Sequence, residues 1–110
     1  MSISTHILDT ARGCPASGVA IVLERVTAEG AVEIGKGATD DDGRVGELIS
    51  GEFTAGDYRI HFDTGAYFAA IGVEGFYPSA QITFRVKDAT QHFHVPLLLS
   101  PYGLSTYRGS

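Results

Sequence analysis

Along most of this chain apolar and polar residues take turns. DYRIHFDT places Tyr58, Ile60 and Phe62 on one side and Arg59, His61 and Asp63 on the other. QITFRVK repeats the pattern, with Ile82, Phe84 and Val86 against Thr83, Arg85 and Lys87. Such alternation marks a half-buried strand, because successive side chains leave opposite faces. After a DATQ turn, HFHVPLLL sets Phe93, Val95, Leu97 and Leu99 in one apolar stripe. VAIVLERVT, from Val19 to Thr27, is rich in β-branched and apolar residues, and VEIGKGAT alternates loosely from Val32 to Thr39 beyond an AEGA turn. DDDG, Asp40 to Gly43, predicts a turn in which short acidic side chains bond the local backbone and Gly43 takes a positive φ. The one helix candidate is TGAYFAAIG, centred on Gly65 to Ile71. These elements predict an all-β fold, an antiparallel β-sandwich with one short helix, as a single domain over residues 1–110.

Composition narrows the class. The chain is 44% hydrophobic and 19% charged, too apolar for disorder. A net charge of −5, with eight Lys and Arg scattered rather than grouped, argues against a nucleic-acid partner. No apolar run approaches the ~18 residues that span a membrane, so no membrane role is expected. Cys14 is the only cysteine, which excludes an internal disulfide, and MSISTHILDT lacks the pattern of a signal peptide. The expected location is the cytoplasm.

His92 and His94 stand two apart and share the face opposite the apolar stripe, which is the outer face of the sheet. Three readings fit: a wetted surface, a general acid/base pair, or two imidazole ligands for zinc. The absence of a cysteine or acid at suitable spacing makes the metal signal weak. His6 alternates with Ile7, so Ile7 faces the core and His6 does not. Cys14 has no local base or helix N-terminus to activate it. Arg44, directly after the acidic turn, either offsets Asp40 to Asp42 or presents a planar donor to a carbonyl or anionic heterocycle. The acidic run lacks the remaining ligands of a calcium loop. The closing residues Tyr107, Arg108, Gly109 and Ser110 concentrate polar groups just beyond a packed strand, where a solubilising tail or part of a site is expected.

STHILDTARGCPA, TDDDGR, FYPSAQITF and above all HFHVPLLLSPYGLSTYRGS carry a resemblance that covers essentially the whole chain. The sequence resembles the 5-hydroxyisourate hydrolases, transthyretin-related enzymes of purine catabolism. Phe93 and Leu104 stand where tyrosine and an aromatic are common, and neither change removes a catalytic group. The resemblance implies a transthyretin-like sandwich that assembles as a homotetramer with sites in the channel between dimers. It implies hydrolysis of 5-hydroxyisourate to 2-oxo-4-hydroxy-4-carboxy-5-ureidoimidazoline by histidine-assisted attack of water, with no cofactor. No metal site is assigned, and convergence of His6, His92 and His94 on a metal is the minor alternative. By motif, His6, Arg44, His94 and Tyr107 are the catalytic candidates, and His92, Arg108, Gly109 and Ser110 the substrate-binding ones. Either His6 or His94 would be the base. The rival reading is a transthyretin-like carrier of an aromatic ligand in the same channel, which would not need the Tyr107–Ser110 motif.

Overall fold

The computed structural model describes residues 3–49 and 52–109. The described residues form nine strands and one helix: β1 (Ile3–Asp9), β2 (Cys14–Pro15), β3 (Ala20–Thr27), β4 (Gly30–Ala38), β5 (Arg44–Val45), β6 (Gly56–Phe62), α1 (Thr64–Ala70), β7 (Ala80–Val86), β8 (Phe93–Ser100) and β9 (Gly103–Thr106). They form two sheets. One runs β2-β1-β8-β9 with β5 also paired to β1, and the other runs β4-β3-β6-β7.

The core lies between the sheets. Ile3, Ile7, Leu97 and Leu99 from the first meet Ile21, Leu23, Tyr58, Ile60 and Phe62 from the second, all essentially inaccessible. These are the apolar members of each alternating run, so the period-2 pattern sets which face turns inward. Truncating one, as in Leu97→Ala, costs about 2–5 kcal/mol by loss of transfer energy plus the cavity left behind. Strand β4 is largely exposed on both faces and lies at a sheet edge, which accounts for its loose alternation.

The expectation of an antiparallel sandwich needs correction. β1 and β8 pair in parallel, from Ile3 opposite Phe93 to Asp9 opposite Leu99, so the first sheet is mixed. Alternation says which face a side chain occupies and nothing about the direction of the neighbouring strand. A parallel pair needs a long connection, and here the whole second sheet and the helix lie between the two strands.

The acidic turn forms as its chemistry predicts. Asp40 Oδ1 accepts from the amides of Asp42 (2.9 Å) and Arg44 (3.0 Å), and Gly43 has φ +73°. A Cβ on Gly43 would lie 2.5 Å from the carbonyl oxygen of Ile7, so the turn presses directly on β1. At the other end of β1 the buried Asp9 accepts from the amides of Ala11 and Arg12 (both 3.1 Å) and from the Tyr67 hydroxyl (2.7 Å). That bond ties the strand to α1. The helix begins one residue before its predicted start because Asp63 caps it, accepting from the Ala66 amide. Among the described residues no helix is long and apolar enough to cross a membrane.

Candidate active site

Three strands assemble a polar cluster on the outer face of the mixed sheet. On β1, Ser4 and His6 are two residues apart and point the same way, opposite the buried Ile3, Thr5 and Ile7. Ser4 pairs with His94 on β8, and His6 pairs with Arg44 on β5. Ladder partners share a face, so Ser4, His6, Arg44 and His94 all project outward together. The turn at Asp40–Gly43 delivers Arg44 beside His6, which is why TDDDGR and STHILD belong to one site.

Ser4 is the residue that sequence reasoning missed. Its side chain is nearly buried, at 8% exposure. Its Oγ lies 2.8 Å from His92 Nε2 and 2.9 Å from His94 Nδ1, joining the two histidines. The only sequence signal was its spacing of two from His6. Recognising it required the parallel register that sets Ser4 opposite His94.

The Tyr107–Gly109 segment packs against the same strand. The Gly109 amide donates to the His94 carbonyl (2.8 Å). A Cβ on Gly109 would lie 2.6 Å from His94 Cδ2 and 3.2 Å from Cγ, so the backbone there lies against the imidazole edge where only glycine fits. Arg108 turns elsewhere: its guanidinium lies 4.6 Å from the Phe93 ring centre and donates to Gln91 Oε1 (3.0 Å). Tyr107 is 57% exposed and, with Arg108, lines a groove shared with Ile82 and Phe84 of β7. The structure thus gathers His6, Arg44, His92, His94 and Gly109, and places the Tyr107 and Arg108 side chains beside that cluster rather than in it. Ser110 lies outside the described residues.

The electrical environment of His94 is distinctive. Partial burial pushes its pKa below the ordinary imidazole value, and the nearby charges of Arg44, His6 and His92 push it the same way. Its Nδ1 is occupied by Ser4, and no hydrogen bond among the described residues uses Nε2. A half-buried imidazole held neutral with one ring nitrogen available is suited to accept a proton from water. Arg44 is exposed and directs a permanent positive charge to the same surface. Among the described residues no three of His, Cys, Asp and Glu converge as a metal centre would require.

The sequence matches the HIUase/Transthyretin family over residues 3–109. The chain belongs to this family. It is 46% identical over 109 residues to a 5-hydroxyisourate hydrolase of Salmonella dublin, covering 98% of this chain and 80% of that protein. The structure of Klebsiella pneumoniae 5-hydroxyisourate hydrolase superposes with a TM-score of 0.87 at 40% identity, covering all of both chains. Sea bream transthyretin, solved in complex with thyroxine, superposes with a TM-score of 0.92 at 35% identity, covering 99% of this chain and 95% of that one. The same sandwich is therefore shared by a 5-hydroxyisourate hydrolase and by a transthyretin solved with thyroxine bound.

Proposed function

We propose that this chain is a 5-hydroxyisourate hydrolase of urate degradation and that the cluster around His94 is its active site. The observation that carries this reading is a half-buried, neutral-favouring imidazole beside an exposed arginine, with one ring nitrogen already engaged by a hydroxyl. Over structural superpositions the identity to a hydrolase, 40% against 35% for the transthyretin, points the same way.

Hydrolysis requires water to add to a carbonyl carbon of the six-membered ring, the carbon–nitrogen bond to break, and the departing ring nitrogen to gain a proton. Neutral His94 takes the proton from water, a contribution of about 10²–10⁴ in rate. His6, on the adjacent strand, is the second candidate base. The Arg44 guanidinium donates to the oxygen that becomes negative in the tetrahedral intermediate, lowering its energy most where charge is greatest. The proton held on the imidazole then serves the leaving nitrogen. Tyr107 fixes substrate and water, and His92, Arg108, Gly109 and Ser110 bind substrate. Gly109 does so by walling the imidazole, while Arg108, engaged with Gln91 and Phe93, acts through the backbone it anchors.

The same reading makes the protein a cytoplasmic homotetramer of one domain per chain. Leu8 and Leu98 lie half-buried on the outward face beside the polar cluster, an apolar surface suited to contact with another copy. The decisive assay follows the decay of 5-hydroxyisourate, generated in place from urate by urate oxidase, with and without the protein. Acceleration by the wild type and its loss in His94→Ala support the assignment. Unchanged decay in the presence of folded tetramer rejects it and returns attention to a carrier with a ligand in its channel.

A further inference from the structure

Ser4 poses a question of hydrogen counting. Its hydroxyl has one proton to give and lies within bonding distance of two ring nitrogens, His92 Nε2 at 2.8 Å and His94 Nδ1 at 2.9 Å. Both contacts are hydrogen bonds only if the hydroxyl donates to one nitrogen and accepts an N–H from the other. Two arrangements satisfy this. In one, His94 carries its proton on Nε2 and has no lone pair for water. In the other, His94 carries it on Nδ1, donates to Ser4 Oγ, and keeps the Nε2 lone pair, while Ser4 donates to His92 Nε2. Only the second leaves a base at the nitrogen that no described residue occupies.

We propose that Ser4 is a positioning residue that holds His94 in the Nδ1–H tautomer and links it to His92 as a proton relay. The inference rests on the hydrolase reading above. The balance is simple. When His94 Nε2 takes a proton from water, the Nδ1 proton moves to Ser4 Oγ, the Oγ proton moves to His92 Nε2, and His94 returns to neutrality with one ring proton, now on Nε2. His92 becomes the imidazolium. No electrons are transferred and no bond to carbon changes in this step. The direction follows the surroundings, since His92 is exposed whereas His94 is half-buried beside Arg44 and His6. A positive charge is better hydrated at the outer position. Reversal of the three transfers resets the Nδ1–H tautomer for the next turnover. The buried placement of Ser4 on the central strand β1 keeps its hydroxyl from rotating into bulk water, and a serine is short enough to bridge two side chains from β8 and the residue just before it.

Nitrogen-15 NMR of the imidazole-labelled full chain reads the tautomer without substrate. The wild type is expected to show His94 protonated on Nδ1 at neutral pH, and Ser4→Ala to shift it toward the Nε2–H form that a solvated histidine side chain favours. In the decay assay, Ser4→Ala should slow turnover roughly tenfold, less than the ~10²–10⁴ a general base itself contributes, because the His94 base remains. Added imidazole buffer should restore part of the rate, because an external carrier replaces the relay. His92→Gln leaves β1 untouched and should give a similar loss, also restorable by buffer. The double variant should be no slower than either single one, since both interrupt one path. Ser4→Thr retains the hydroxyl and should keep the tautomer and most of the rate, which guards against a folding artefact. A wild-type His94 protonated on Nε2, a tautomer indifferent to Ser4→Ala, or losses that multiply in the double variant would overturn the proposal. Failure of the wild type to hydrolyse substrate would instead reject the hydrolase reading, and the NMR result would still decide whether Ser4 sets the His94 tautomer.

Discussion

Each sheet of the sandwich carries histidine on its outer face, and the two faces treat it differently. On the β3/β6 face, His61 Nε2 meets the Glu24 carboxylate, and Arg59 stands 3.8 Å from the same carboxylate. On the β1/β8 face, His94 has a hydroxyl on one nitrogen, and the charges that reach it come from Arg44, His6 and His92. Burial and the surrounding cationic groups oppose protonation of the His94 imidazole. The first histidine is bonded to a half-buried carboxylate that Arg59 also approaches. The second is kept neutral, which is what a base requires. Alternation alone makes these two positions look alike, and their neighbours across the ladder separate them.

The largest expected contrast is catalytic. His94→Ala should lower 5-hydroxyisourate hydrolysis by about 10²–10⁴, while His61→Ala leaves the rate within about twofold, as removal of a surface pair should. A comparable effect from both would erase the distinction between the faces. Arg44→Ala should cost on the order of 10²–10³ in kcat, the usual loss of one oxyanion donor.

Gly109→Ala tests the close approach to the imidazole. The added Cβ must displace the ring or the segment, and a misplacement of about 1 Å can cost on the order of 10² in rate. Thermal unfolding should change less than activity does, because Gly109 joins the sheet only by a single bridge to His94. A variant of normal activity would show that the imidazole need not be held there.

The pH dependence sharpens the comparison further. His94 has its folded pKa below the usual value of about 6.5, so kcat/KM should persist below that pH and fall only as the depressed group protonates. Arg44→Ala removes one of the charges responsible and should move the acid limb upward, toward 6.5. The same depression makes the unfolded chain bind this proton more readily than the folded one. Its contribution to stability is therefore complete above the unfolded pKa and is lost as pH falls through the folded one. An acid limb that stays put in Arg44→Ala would contradict the electrostatic coupling.

The smallest effect on turnover belongs to Tyr67→Phe. It removes the hydroxyl that bonds Asp9 at the far end of β1 and should cost about 1–3 kcal/mol of stability, read from denaturant unfolding, with turnover preserved. A large loss of activity there would extend the site beyond the outer face.

Much of this was legible in the linear pattern. The stripes of Tyr58, Ile60 and Phe62 and of Phe93, Val95, Leu97 and Leu99 announced which faces are buried, and so put His94 outside before any neighbour was known. The DDDG turn declared its own hydrogen bonds through Asp40 and its own backbone through Gly43. Local chemistry of this kind needs only residues a few positions apart.

Ser4 was not legible, nor was the parallel course of β1 and β8. Ser4 and His92 are 88 positions apart, and their meeting depends on strand direction and register, which side-chain alternation does not encode. A shift of one residue would have turned Ser4 into the core and left the histidines without their bridge. The sequence by itself determined the longer strands, their inward faces and the residue types available for acid–base chemistry, because propensity and period act locally, whereas the short β2, β5 and β9 are set by their partners. The tertiary structure alone decided which of those residues share a hydroxyl, which imidazole stays neutral and which glycine must have no side chain, because each depends on distances between strands remote in the chain.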